Sequence, residues 1–239
     1  MASLPRRLVV SVGQSLGLIR GVRCLVCGNT SDAFLATGPK QRPHARCRYC
    51  ESNERHRLLW VLLHDRTELF TSDGVKLLYF APEYFIEQRL RETANVDVTT
   101  VDLLRADVDV QADITDLPFP DGEYDAIICN HVLEHVPDDA QAMRELRRVI
   151  KPQGWAVISV PLAPGRATTF EDATITDPEQ RARLFGQDDH LRIYGADFSD
   201  KLRAAGFNVS NVSSKQLKLG SPKRYGVPAR YYLPFCTPR

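Results

Sequence analysis

The sequence predicts an α/β protein, an open and mostly parallel doubly wound sheet preceded by a small metal-binding module of zinc-ribbon type. Three observations predict it. From Val75 onward, short apolar runs alternate with segments of helical periodicity. The first run, Lys76-Leu77-Leu78-Tyr79-Phe80-Ala81, is apolar almost throughout, as a strand covered on both faces should be. Ahead of it, Cys24-Leu25-Val26-Cys27 and Cys47-Arg48-Tyr49-Cys50 form two close cysteine pairs separated by 19 residues.

The chain of 239 residues is 43% hydrophobic and 26% charged, enough to bury one sizeable core and a small annex. That composition argues against a disordered or fibrous chain. Lysine and arginine total 31 against 30 acidic residues, so overall charge selects no class of partner. No run of 18 apolar residues occurs, which excludes a membrane-spanning helix. Arg6-Arg7 before Leu8-Val9-Val10 has some look of an export signal. Gln14 and Gly17 interrupt it and no small-x-small cleavage site follows, so a cytoplasmic chain is expected. The paired cysteines agree, because in a reducing compartment they read as metal ligands rather than disulfides.

Three regions follow. Residues 1–22 place Leu4, Leu8, Val12, Leu16 and Ile19 on one helical face. This amphipathic arm is expected to pack on the chain's own body, with covering a groove, pairing two subunits in a homodimer or touching a membrane surface as alternatives. Residues 23–70 hold the cysteine module and a connecting helix from about Asn53 to Asp65, whose Leu58, Leu59, Leu62 and Leu63 should be core. Each CxxC turn presents two thiolates to one ion, so Cys24, Cys27, Cys47 and Cys50 are expected to bind a structural Zn2+ in a closed shell. His44 and His56 read as surface or packing residues. Arg42, Arg46, Arg48, Arg55 and Arg57 read as a solvated face or as a phosphate-binding one.

Residues 71–239 form the sheet domain. Strands are expected at 76–81, 96–101, near 112–113, at 124–129, 155–160, 207–212 and 230–235, with helices at 83–92, 138–150 and 198–205. The turn Lys151-Pro152-Gln153-Gly154 should separate the second of those helices from the fifth strand. In such a sheet the ligand lies at the carboxyl ends of the strands. Those ends carry Ala81-Pro82-Glu83, Asp102, Asp113-Ile114 and Asn130-His131. Carboxylates there suit a nucleoside, one accepting from ribose hydroxyls and another from an adenine amino group.

The ordered series from Asp113-Ile114-Thr115-Asp116-Leu117-Pro118 through Asn130-His131-Val132-Leu133-Glu134-His135-Val136 to Lys151-Pro152-Gln153-Gly154 resembles the class I S-adenosylmethionine-dependent methyltransferases of type 11. The resemblance implies a seven-stranded Rossmann-like sheet with its last strand antiparallel, and S-adenosyl-L-methionine as cofactor. It marks Asp102, with Leu103 beside it, as the ribose site, Asp113 and Ile114 as the adenine contacts, and Asn130-His131 as facing the methyl donor. The first strand departs from the family, since Tyr79 stands where an acid is usual and Ala81 and Glu83 replace glycines. Glu83 is expected to meet the cofactor's ammonium group, beside Tyr79, Ala81 and Pro82.

Between the fifth and sixth strands, residues 161–206 form an insertion that should shape an acceptor pocket. His190 is the first candidate for a general base and His131 the second, with Tyr194 or Asp189 orienting the acceptor. His131-x-x-Glu134-His135 matches an inverted zinc-protease pattern, but Pro137 cuts the segment short, and Glu134 and His135 are expected to brace the loop around the cofactor. The expected reaction is methyl transfer to an oxygen or nitrogen of a small or medium metabolite. An RNA methyltransferase holding RNA by its zinc module and a non-catalytic partner subunit are the alternatives.

Overall fold

The structure is a computed structural model that describes residues 21–38, 41–217, 219, 221–228 and 231–239. The amphipathic arm lies outside the described residues but for Gly21 and Val22, and so does Arg230, where the last strand was expected to begin.

Two small hairpins open the fold: β1 (Val22–Arg23) with β2 (Thr30–Ser31), and β3 (Leu35–Thr37) with β4 (Arg42–Arg46). Helix α1 spans Glu54–Arg66, with Asn53 as N-cap and His56 completing a capping box. Then come β5 (Val75–Phe80), α2 (Tyr84–Arg91), β6 (Val96–Asp102), β7 (Val110–Gln111) and β8 (Tyr124–Asn130). Helix α3 (Asp139–Val149) runs directly into β9 (Ile150–Ser159). The insertion contributes β10 (Phe170–Glu171), α4 (Pro178–Phe185) and β11 (Arg192–Ile193), and α5 (Phe198–Ala204), β12 (Phe207–Ser213) and β13 (Tyr232–Pro238) complete the chain.

Seven strands form one sheet in the order β12-β13-β9-β8-β5-β6-β7. All neighbours pair in parallel except β13, which is antiparallel to both β9 and β12. This is the expected doubly wound arrangement, a Rossmann-like sheet of class I methyltransferase type. Strand alternation splits the core in two. Leu77, Tyr79, Ala126 and Ile128 face α1 and α2, while Leu78, Phe80, Ile127 and Cys129 face α3 and α5. The α1 leucines share the first cluster with Cys24, Val26, Phe34 and Cys47, so the module's core is continuous with that of the sheet.

One boundary differs from expectation. The fifth strand begins at Ile150, not Trp155, because Tyr124 pairs with Ile150 before the register shifts to Ala126 with Trp155. The segment read as a turn is a bulge inside the strand. Gly154 fits there because a Cβ would lie 2.7 Å from Asp125 O.

Candidate functional site

The register lines up the carboxyl edge of the sheet. Phe80 pairs with both Val101 and Cys129, so Ala81 sits between Asp102 and Asn130. Asp102 in turn pairs with Gln111 and Asn130 with Ser159. The chain reverses its winding between β5 and β8, which makes Ala81 and Asn130-His131 the two lips of the switch point. Both lips carry unusual backbone. Ala81 has φ 43° and His131 has φ 56°, left-handed conformations that cost a non-glycine residue about 1–3 kcal/mol each. Gln41, His44 and Glu51 in the cysteine module also have positive φ, but among the described non-glycine residues only Ala81 and His131 do so on adjacent strand ends of the large sheet.

Around the lips, one oxygen of Asp102 accepts from Leu104 N at 2.8 Å and Arg105 N at 3.0 Å, fixing the turn after β6. Leu103 stands 55% exposed beside it, an apolar surface for a flat ring. Pro82 is buried, and its carbonyl accepts from Arg105 Nη1 at 2.8 Å, tying the loops after β5 and β6 together. Asp113 accepts from Thr115 N and Oγ1, each at 2.8 Å, while Ile114 is buried behind it. Asn130 Oδ1 accepts from Ser159 Oγ at 2.6 Å. His131 is partly exposed, and its Nδ1 lies 3.2 Å from Oε1 of the buried Glu134. A carboxylate there holds the proton on Nδ1 and leaves Nε2 as the basic atom.

The glycine-less first loop is built differently from what its sequence suggested. Tyr79 is fully buried, and its hydroxyl donates to the Glu83 carboxylate. Burial, with Glu83 adding to it, pushes the Tyr79 phenol well above its ordinary range, so it remains a neutral donor. The other Glu83 oxygen lies 3.1 Å from His56 Nε2 on α1. Both oxygens of Glu83 are thus engaged inside the protein, which corrects the expectation that it reaches for a ligand ammonium and that Tyr79 lines the cofactor. His56 Nδ1 accepts from Asn53 N at 3.1 Å, which places the ring proton on Nε2.

Two candidates in the insertion are also corrected. His190 is 2% exposed with Nδ1 3.0 Å from Phe185 O, and Tyr194 is fully buried, its hydroxyl donating to Asp139 Oδ2 at 2.8 Å. Neither presents a polar atom to an acceptor in solution. The sequence reading assigned no role to Arg192, which is 1% exposed. It forms a two-pronged pair with Glu171 at 2.8 Å and donates to the carbonyls of Leu133, Val136 and Pro137. This clamp holds the insertion against the turn after β8. The insertion is partly ordered, as α4 and the antiparallel pair of β10 with β11. The i, i+3 spacing of His131 and Glu134 was the signal for that pair; nothing local marks Arg192.

The four module cysteines converge. Cys24 and Cys50 Sγ lie 3.7 Å apart and Cys27 and Cys47 Sγ 3.8 Å apart, far beyond a disulfide bond. A tetrahedral ion with metal–sulfur bonds of about 2.3 Å has sulfur–sulfur edges of about 3.8 Å. Two of the six sulfur–sulfur separations match such an edge, and all four sulfurs lie within 4.8 Å of one another. Ser52 Oγ approaches Cys24 and Cys50 at 3.1 and 3.2 Å, and Asn29 Nδ2 donates to Cys27 Sγ at 3.4 Å. Of the five nearby arginines, Arg57 is fully buried, Arg42 pairs with Glu54 at 2.9 Å and Arg46 with Glu51 at 2.6 Å. Arg48 is exposed and Arg55 half-buried, so only part of this basic set is committed to internal partners.

Comparison with known proteins agrees with the fold. Residues 83–158 match the family described as a methyltransferase domain. Over 63 residues the chain is 36% identical to a probable S-adenosylmethionine-dependent methyltransferase of Mycobacterium tuberculosis, a stretch covering 25% of this chain and 23% of that protein. The chain spans about a fifth of the length of the curated relatives it matches. Among solved structures it resembles the [4+2]-cyclase SpnF, at TM-score 0.54 and 18% identity, covering 91% of this chain and 98% of that one. It also resembles a complex of the Haloferax volcanii Trm112 methyltransferase activator with a putative methyltransferase, at TM-score 0.50 and 14% identity, covering 77% and 90%. These likenesses show the fold, a class I methyltransferase sheet carrying a methyltransferase-domain match.

Proposed function

We propose that this chain is an S-adenosylmethionine-dependent methyltransferase acting on an oxygen or nitrogen atom of a small or medium-sized metabolite, with one structural Zn2+ on Cys24, Cys27, Cys47 and Cys50. The observation that carries the reading is the pair of left-handed, non-glycine strand ends, Ala81 and His131, side by side at the switch point with Asp102 next to them. Asp102 and Leu103 would hold the ribose, Asp113 and Ile114 the adenine, and Asn130 and His131 the methyl-bearing end. When bound, the cofactor supplies an electrophilic methyl group, so the protein's task is alignment and exclusion of water.

His131 takes the base role in preference to His190. Its Nε2 receives the acceptor's proton when the nucleophile is a hydroxyl, and Glu134 fixes the ring and stabilises the resulting imidazolium. A nitrogen acceptor with a free lone pair needs no such step. A cavity of about 690 Å³ opens past the end of β9, lined by Val160, Leu162, Pro164, Arg166, Tyr231 and Tyr232 among others. Its size and mixed lining suit a metabolite with an acidic or aromatic part. Pairing of Arg42 and Arg46 with acids and burial of Arg57 favour the metabolite reading over RNA.

The test is methyl transfer from labelled S-adenosylmethionine across a set of hydroxylated and amine metabolites. His131→Ala should lower kcat for a hydroxyl acceptor about 100-fold or more and leave KM for the cofactor within a few-fold. Equal activity of this variant and the parent across about pH 6–9 removes His131 from the base role.

A further inference from the structure

Three side chains outside the cysteine cluster meet in the clamp between the turn after β8 and the insertion. One ligand atom from each of Glu134, His135 and His190 lies within 4.8 Å of the others. Their remaining atoms are already committed. His190 Nδ1 lies 3.0 Å from Phe185 O, which accepts only, so the proton is on Nδ1 and Nε2 carries a lone pair. That Nε2 is buried with no hydrogen-bond partner among the described residues. Glu134 gives Oε1 to His131, and its Oε2 is likewise buried and unpartnered. His135 Nδ1 lies 3.1 Å from Asp189 Oδ2, and its ring meets that of His190 edge to face at 4.8 Å. Two unpartnered buried acceptors beside a third lone pair have no proton to share, and a cation resolves all three at once.

We infer that Glu134, His135 and His190 form a second metal site, for one divalent first-row transition-metal ion held by two imidazole nitrogens and one carboxylate oxygen. The donor set suits Zn2+, Fe2+, Co2+ or Mn2+ and differs from the all-sulfur shell of the cysteines. Each ligand has the outer partner such sites use: Phe185 O on His190, Asp189 on His135 and His131 on Glu134. Atoms bound tetrahedrally to one ion at about 2.1 Å lie about 3.4 Å apart, so ligation draws these side chains in from separations of up to 4.8 Å. Arg192 and the Leu191 N to Glu134 O bond at 2.9 Å hold the two contributing segments together. Three protein ligands leave a coordination position open, and the side chain of His135, 34% exposed, lets solvent or an oxygen donor of a small molecule reach it. Through Glu134 the ion steadies His131; that link rests on the methyl-transfer reading, whereas the site itself does not.

The test uses the full chain with zinc already on the cysteines, titrated with Co2+ and followed by its absorption. One further equivalent bound without a sulfur-to-cobalt charge-transfer band is the expected result. His135→Ala and Glu134→Gln should weaken that binding about 100-fold or more, and Asp189→Ala about 10–100-fold. His135 and Asp189 are partly exposed, so unchanged thermal melts of those two variants exclude misfolding as the cause. No second equivalent, or a second equivalent indifferent to these substitutions, overturns the site. The two readings fail separately. A chain that binds Co2+ there but not S-adenosylhomocysteine loses the methyl-transfer reading alone, and the converse loses the metal site alone.

Discussion

Arg57 and Arg192 are both buried guanidiniums that tie together segments far apart in the chain, yet they are neutralised differently. Arg57 donates to the carbonyls of Ser52, Ala45, Tyr225 and Gly226 at 2.7–2.9 Å and stacks on Phe34 with its centre 3.9 Å from the ring. All four of those bonds go to backbone oxygens, and its burial works against its charge. Arg192 also binds three carbonyls but adds the two-pronged pair to Glu171, whose side chain is 42% exposed. A buried cation without a paired carboxylate needs another counter-charge. Beside Arg57 the charges that favour it are Cys24, Glu54, Cys47 and Cys50, and four thiolates on one divalent ion would carry about −2 in total. With the proposed zinc bound, the cysteine module would add counter-charge at its apolar seam with the sheet domain, whereas the insertion clamp carries its own balancing acid.

Removing the ion gives the largest effect. Without metal Cys24 resists ionisation, pushed up to about 12, first by its hydrogen bond with Cys50 and then by burial. Chelation or Cys24→Ser should therefore remove one equivalent of zinc and lower stability by about 4 kcal/mol or more, measured by denaturant unfolding. Arg57→Met should cost about 3 kcal/mol or more in the zinc-loaded chain and far less after chelation. Arg192→Met should cost a similar amount in both forms. Equal losses for Arg57→Met with and without zinc would break the comparison.

Smaller changes sharpen it. Gly226 has φ +57°, and a Cβ there would lie 2.5 Å from the Phe34 ring and 2.8 Å from Arg57 Nη2. Gly226→Ala should cost about 2 kcal/mol and loosen the Arg57 contacts without touching the strand ends. Amide exchange should then quicken around Phe34 and Ala45 while β8 keeps its protection. The smallest effect is one of pH. Burial holds the His56 pKa below the ordinary histidine value, with Glu83 opposing it. The unfolded chain then binds the proton more readily, so stability is full above about pH 6.5 and is lost as pH falls from there through the folded value. Denaturation midpoints should be level near pH 7–8 and lower below pH 6, and His56→Gln, which can keep the helix cap, should flatten that slope.

Much of this architecture was legible because its causes are local. The apolar run at 77–80, the acid-tipped strand ending at Asp102 and the leucines of α1 each reflect burial on a repeating face, which spacing reveals. The two cysteine pairs were legible because a metal shell needs residue types that little else demands. What stayed hidden depends on tertiary partners. The two-residue strands β1, β2, β10 and β11 are too short to leave a period. Arg57 looked like one more surface cation, and Arg192 like a loop residue, because a buried guanidinium is defined by carbonyls far away in sequence. Glu83 was read from its place after the first strand, but its partners, Tyr79 and His56, come from the strand below and the helix above.

The account rests on the carboxyl edge of the sheet being a nucleoside site, and calorimetric titration with S-adenosylhomocysteine tests that most directly. The parent chain should bind one equivalent, Asp102→Ala should bind about 10–100-fold more weakly, and Glu171→Gln, away from the strand ends, should bind like the parent. No heat of binding up to about millimolar ligand, or an affinity indifferent to Asp102, would contradict it.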